Sequence, residues 1–439
     1  MIRFNSYMNM NKNIALAALL LIALPDISLA QETVNIQGQQ KNVQPEVTNK
    51  VKTMAEELIK KGFTAGDGYG EVWIRDLNTF IELSCKVNDK AQIRKHLITF
   101  FQFQQPDGGI LDGYIPASKA TIYGKFYKSE LAPEYLGHKN TVETDQETSL
   151  IQAVAKYIRS TGDKTILTDK VAGLTVKNQM ENALDFLMKK RFDEKHGLLW
   201  GATTVDWGDV QPEHSWGVVI DENTHRAIDI YDNAMFLIAI KDFIAIGDLN
   251  EGQISKWNKI YSNVRQNINK YLWDNKAQKY IPHIYLNGSP FPASFDESKI
   301  YYHGGTAVAI EAGLLTKKQV KEAYQKMQKN VVDAHAATIG LTIYPVYPLG
   351  TFENKGMGPY SYQNGGDWTW FGGRMVSQLI RYNLLAEARE ALQPMLARVI
   401  SNNGFYEWYT LDNKPMGSSS FRGEAGVLWT AITELEKKK

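Results

Sequence analysis

One cysteine, Cys85, stands alone in a chain of 439 residues, so no intramolecular disulfide can form and the fold must be held by its core. There is no P-loop, no GxGxxG turn opening a helix, no HExxH helix and no CxxC pair, which removes support for nucleotide, hydride and metalloprotease chemistry. The glycines of Gly66-Asp67-Gly68-Tyr69-Gly70 lack dinucleotide spacing. No GxSxG elbow accompanies His303-Gly304-Gly305, which therefore reads as a closely packed helix start rather than an oxyanion loop. The eight histidines are scattered without ligand spacing and no EF-hand loop is present, so no metal or cofactor is expected. Formal charge is only +1, too weak a field to hold a nucleic-acid backbone or an anionic membrane.

What is present begins with an apolar run, Ile14 to Leu24, that is short for a bilayer span. Lys12 precedes it and Ser28-Leu29-Ala30 follows with the small-x-small pattern of a cleavage site. Residues 1–30 are expected to be a signal peptide, which places the protein in the periplasm or outside the cell with no membrane insertion after cleavage. Its removal takes away Arg3, Lys12 and Asp26 and brings the net charge to zero. Residues 31–45 are polar and without periodicity, an expected extended arm.

From residue 46 to 439 no Pro- or Ser-rich linker interrupts the chain, so one domain is expected; the protein is also expected to be a monomer. Helical spacing of apolar residues recurs about a dozen times, over 47–61, 76–87, 91–104, 145–160, 177–190, 232–246, 253–272, 303–312, 317–329, 367–381, 384–399 and 423–436. Strand-like alternation is confined to short pieces such as 280–285. The segment Asp232 to Ile246 is apolar nearly all round and must be buried, whereas 317–329 keeps one polar face and must lie outside. An inner ring of buried helices wrapped by an outer ring of amphipathic ones predicts an all-α fold, the (α/α)6 barrel.

The segments between helices carry the chemistry. They are Val72-Trp73-Ile74-Arg75-Asp76, Glu143 to Glu147, Val205 to Asp209, Tyr362 to Trp368 and Gly404 to Tyr409. Each mixes carboxylates or amides with Trp or Tyr, in a chain that has 10 Trp and 22 Tyr. A pyranose needs this combination, because it shows one face of C–H groups to an aromatic ring and a rim of hydroxyls to acids, amides and Arg. Cleaving a glycosidic bond further needs one carboxylic acid to protonate the leaving oxygen and a second to work on the far side of the ring. Asp209, two residues after Trp207, suits the acid, which an apolar ring helps to keep protonated. Glu407, between Tyr406 and Trp408, suits the partner.

At these same segments the sequence resembles the glucoamylase-like six-hairpin glycosidases, above all the processing α-glucosidase and glycogen-debranching branches. The resemblance runs over roughly residues 60–436. Asp206-Trp207-Gly208-Asp209 is similar to the motif that carries the general acid there, which implies that role for Asp209. Phe405-Tyr406-Glu407-Trp408-Tyr409, followed by Gly417 and Phe421, is similar to the base motif, which implies that role for Glu407 and an inverting reaction. Tyr362 to Trp368 resembles the sugar-binding loop of the superfamily, implying contacts from Gln363, Asn364 and Trp368. Gly66-Asp67 followed by Trp73-Ile74-Arg75-Asp76 resembles the exo-α-mannosidase pattern instead. It implies that Arg75 and Asp76 hold hydroxyls of a terminal sugar beside Trp73, with Asp145 and Glu147 in a second sugar-binding segment. Asp206, Trp207 and Trp408 complete the expected sugar contacts. The expected partner is an oligosaccharide, and the expected activity that of an exo-α-glycosidase, α-glucosidase-like or else α-mannosidase-like.

Alternatives stay open in the sequence. Asp206 rivals Asp209 as the acid. Glu424 rivals Glu407 as the base, its plainer role being an ion pair with Arg422. Asp232 and Asp367 each stand at a helix start and read as N-caps. A phosphorylase or epimerase on the same toroid, or a glycan-binding protein without catalysis, are the competing functions.

Overall fold

The computed structural model describes residues 44–120, 126–215 and 218–438. The expected signal peptide and residues 31–43 of the expected arm lie outside them. Pro45 already belongs to the first helix, where a residue without a backbone N–H sits comfortably at the first position.

Twelve α-helices form among the described residues: α1 Pro45–Ile59, α2 Ile74–Val87, α3 Lys90–Gln102, α4 Gln146–Thr161, α5 Val176–Lys190, α6 Ile230–Ile246, α7 Glu251–Asn267, α8 His303–Glu311, α9 Lys317–Ala334, α10 Thr369–Arg381, α11 Leu385–Ser401 and α12 Arg422–Glu436. Each falls on a segment of helical spacing. The even-numbered helices pack in sequence, α2 on α4, α4 on α6, α6 on α8, α8 on α10 and α10 on α12, and α12 returns to α2. That closes an inner ring. The odd-numbered helices pack outside it, α3 against α2 and α4, α5 against α4 and α6, and α1 against α12. The fold is an (α/α)6 toroid.

Side-chain character sorts the rings. Along α6 the buried polar residues are confined to its first turn, Asp232 and Asn233, and Tyr231, Met235, Phe236, Leu237, Ile240 and Phe243 are all enclosed. A helix so nearly without a polar face can be stable only where neighbours cover it. Helix α9 buries one stripe, Val320, Ala323, Tyr324 and Met327, and leaves its lysines in water. Its start is fixed by a capping box in which Thr316 and Gln319 exchange hydrogen bonds. The strands are short. The stretch 280–285 is divided between Lys279–Tyr280 and Ile284–Tyr285, which pair with different partners.

The two ends of the toroid are built unequally. Links that follow an inner helix are mostly brief: 88–89, 247–250, 312–316 and 382–384, with 162–175 longer. Links that precede an inner helix are mostly long: 60–73, 103–145, 191–229, 268–302, 335–368 and 402–421. All six inner helices therefore begin beneath the long links, and their partly positive N-terminal ends gather there. Most of the described chain outside the helices lies at that end.

Candidate active site

A cavity of about 650 Å³ opens among the long links. Of the residues expected to act on a sugar, Trp73, Arg75, Asp76, Trp207 and Asp209 line it from one side of the sequence. Gln363, Trp368, Glu407 and Trp408 line it from the other. Asp145, Glu147, Asp206 and Asn364 do not reach its wall.

The segment Val205–Asp209 shows how neighbouring carboxylates part company. Asp206 has a left-handed backbone, φ 56°. Its Oδ1 accepts the Gly305 amide at the start of α8, at 2.7 Å. Gly304 and Gly305 are required here, since a Cβ on either would strike Trp207 or Asp206. Trp207 stacks on Phe371 (ring centroids 4.5 Å apart) and meets Trp368 and Trp370 edge-on. The chain then turns back through the Gly208 amide on the Val205 carbonyl, 2.8 Å, and presents Asp209 to the cavity. Asp206 is 1% exposed, against 24% for the Asp209 side chain. Burial pushes the Asp206 carboxyl up to about 8, against the pull of the Gly305 and Gly304 amides. Asp206 is thus an anchor on α8, and of the two carboxylates only Asp209 meets the cavity.

Asp209 is held by two groups: Gln363 Nε2 donates to Oδ1 at 2.8 Å, and Arg75 Nη2 lies 3.4 Å from Oδ2. Arg75, on the first turn of α2, divides its charge further. Its Nη1 lies 2.8 Å from Asp112, 2.9 Å from Glu143 and 3.7 Å from Asp145. Asp145 is fully enclosed behind this cluster, accepting from Tyr231 Oη at 2.9 Å and from Gln146. Glu147 accepts the Ile110 amide at 2.8 Å and pairs with Lys139 at 3.0 Å. Both expected sugar ligands are engaged by groups of the protein itself, and neither lines the cavity. Asp76 stands at the cavity, its carboxyl raised to about 7 by burial, with Arg75 opposing.

Glu407 sits on the hairpin formed by Tyr406–Tyr409 and Pro415–Ser419. Tyr69 Oη donates to Oε1 at 2.7 Å and the Ser418 amide to Oε2 at 2.8 Å. Gly417, at φ +69°, leaves no room for a Cβ beside the carboxylate. The glycines near the front of the chain explain Tyr69: Gly66 is in contact with Ser418 and Ser419, and the Gly68 amide donates to Ser418 Oγ at 2.8 Å. Sequence reasoning passed over Tyr69, whose only signal was its place between two glycines. Burial raises the Glu407 carboxyl, the Ser418 amide and Tyr69 lower it, and the Asp209 charge raises it again. The two carboxylates therefore share one electrostatic environment.

Other expectations need correction. Glu424 makes no ion pair with Arg422: it lies under the hairpin, accepting the Tyr406 amide at 2.6 Å and Tyr409 Oη at 3.0 Å, off the cavity. Arg422 instead donates to the Thr64 carbonyl at 2.7 Å. The N-cap of α6 is Asp229, not Asp232, whose Oδ1 accepts the Thr144 amide at 3.2 Å. Asp367 precedes the start of α10 and forms a two-bond ion pair with buried Arg398, at 2.7 and 3.0 Å. Asn364 bridges Tyr347 and the Met357 carbonyl, stapling one long link to itself. Among the described residues no group of three or more His, Cys, Asp or Glu side chains is arranged to hold a metal ion. No helix among them is long and apolar enough to cross a membrane.

The catalytic domain of the glycosyl hydrolase 94 superfamily matches residues 32–430. Among solved structures, the GH63 mannosylglycerate hydrolase of Thermus thermophilus in complex with glucose is similar at TM-score 0.62 and 15% identity, over 87% of this chain and 99% of its own. A rhamnosidase from Klebsiella oxytoca with rhamnose bound is similar at TM-score 0.58 and 11% identity, over 89% of this chain and 64% of its own. The GH78 rhamnosidase of Bacillus sp. GL1 gives TM-score 0.60 at 13% identity, over 88% and 35%. At such identities these likenesses carry the fold. No curated protein matches the chain in sequence.

Proposed function

The chain belongs to the glycosyl hydrolase 94 superfamily and is a six-hairpin glycoside hydrolase, and from that premise we propose that it is an inverting exo-α-glycosidase with Asp209 as general acid and Glu407 as general base. The observation that carries this reading is the convergence of those two carboxylates, from links 191–229 and 402–421, on one aromatic-lined cavity. Asp209 gives its proton to the glycosidic oxygen as the C–O bond to the anomeric carbon breaks. Water attacks that carbon from the opposite face and passes a proton to Glu407. Exchange with solvent then restores both groups. Glu407 suits the base, since both of its hydrogen bonds come from donors that favour the ionised form. A cavity of about 650 Å³ suits the end of an oligosaccharide better than a run of polymer, which favours exo action.

The substrate is an oligosaccharide outside the cytoplasm, a reading supported by the N-terminal apolar run and its cleavage pattern. Glucosides come first, and the relatives that act on mannosylglycerate or bind rhamnose put mannosides and rhamnosides beside them.

The test incubates residues 31–439 with a panel of α- and β-linked oligosaccharides, with and without phosphate, following products by mass spectrometry and anomeric configuration by proton NMR. Release of one monosaccharide with inversion and without phosphate is expected. Strict dependence on phosphate, or retention of configuration, would overturn the mechanism.

A further inference from the structure

The segment just before α4 is clamped on both sides. The Thr141 amide donates to the Val218 carbonyl at 2.9 Å, Thr141 Oγ1 accepts the Ile220 amide at 2.7 Å, and the Val142 carbonyl accepts the Ala202 amide at 2.8 Å. Arg191 closes the set on the Thr141 carbonyl at 2.6 Å. Two side chains in this stretch are left over. Asn140 is 4% exposed, and its Oδ1 accepts the Val142 amide at 2.9 Å, which fixes the orientation of its side-chain amide. The Nδ2 donor at the other end has no acceptor among the described residues. Asn140 lines the cavity, and so does Glu143 three residues on. Glu143 is equally buried, touches Arg75 through charge alone, and its oxygens receive no aligned hydrogen bond.

A buried polar group without a partner is costly, and a rigid setting leaves it no way to relieve the cost within the protein. On one cavity wall, an unpaired donor and, three residues on, a carboxylate whose oxygens receive no aligned hydrogen bond together complement a hydroxyl, which accepts through its oxygen while donating its proton. We propose that Asn140 and Glu143 form a hydroxyl-reading notch that selects the glycoside: Asn140 Nδ2 donates to one hydroxyl of the bound sugar, and Glu143 accepts from that hydroxyl or the next. This rests on the reading of the cavity as the glycosidase site and deepens it to substrate choice. A site built this way rejects a sugar that lacks or inverts that hydroxyl, because the amide is then buried unpaired.

The experiment uses the glycoside that the wild type cleaves best, together with its monodeoxy analogues at each hydroxyl of the terminal sugar. Asn140→Asp keeps the acceptor for the Val142 amide and removes the donor. It should lower kcat/KM by about 10- to 100-fold. One deoxy analogue should be cleaved less well by wild type by a similar factor, yet suffer no further loss in the variant. Asn140→Ser, which is uncharged, should show the same non-additivity, with thermal melting confirming that both variants fold. If the variants and the wild type discriminate among all the deoxy analogues alike, the notch is refuted while the glycosidase reading stands. If the wild type cleaves no glycoside of the panel, both fall together.

Discussion

On the wall made by α2 and links 103–145 and 191–229, Asp209 is held by a guanidinium that it shares with Asp112 and Glu143. On the wall made by the C-terminal hairpin, Glu407 is held by two neutral donors, a phenol and a backbone amide. The first arrangement is a network of charges, in which one guanidinium faces several carboxylates. The second is a fixed cradle, where burial works against the charged form and two hydrogen bonds work for it. Both walls thus set donors against carboxylate oxygens, a charged donor shared among several acids on the first and neutral donors on the second.

The comparison breaks most visibly at the carboxylates themselves. Asp209→Asn and Glu407→Gln should each lower kcat by about 10²- to 10⁴-fold with melting temperature little changed. Asp206→Asn should leave far more activity than Asp209→Asn. The reverse order, measured on the same substrate, would exchange the roles of anchor and acid.

A second break falls on the network. Arg75→Ala leaves Asp112, Glu143 and Asp145 buried around an absent cation, and should destabilise the fold by about 3–5 kcal/mol in urea titration. Tyr69→Phe should cost much less stability, because Glu407 keeps the Ser418 amide. That substitution instead sharpens the cradle. Loss of one donor to the ionised form should move the acidic limb of the kcat/KM–pH profile upward by about one unit, with a modest change at the optimum. An unmoved limb would mean that another group sets it.

A further break concerns stability against pH. Burial raises the carboxyls of Asp206 to about 8 and of Asp229 and Glu424 to about 7. Their unfolded values lie near 4. Raised acids bind protons on folding, so their contribution is complete below about pH 4 and is lost as pH climbs toward 8. Melting temperature should therefore be higher at pH 5 than at pH 8, and Asp206→Asn, which keeps an acceptor for the Gly305 amide, should flatten that slope.

The sequence by itself marked about a dozen helices, the buried place of 232–246 and the outer place of 317–329, and the aromatic–carboxylate links, because helical periodicity and all-round apolarity are written within a single segment and need no distant partner. It also brought Trp73, Arg75, Asp209, Gln363 and Glu407 under suspicion, because those residue types are what a pyranose requires. The tertiary structure alone decided which carboxylate of each cluster reaches the cavity. Asp206 turns away because its left-handed backbone meets an amide on α8, 99 residues further on. Asp145 and Glu147 are taken by Tyr231, Ile110 and Lys139, and Asn364 by its own link. Tyr69 and Asn140 gain their places only when the front of the chain closes on the C-terminal hairpin and link 191–229 clamps the start of α4. Side-chain direction in a long link depends on contacts remote in sequence, and those exist only once the ring has closed.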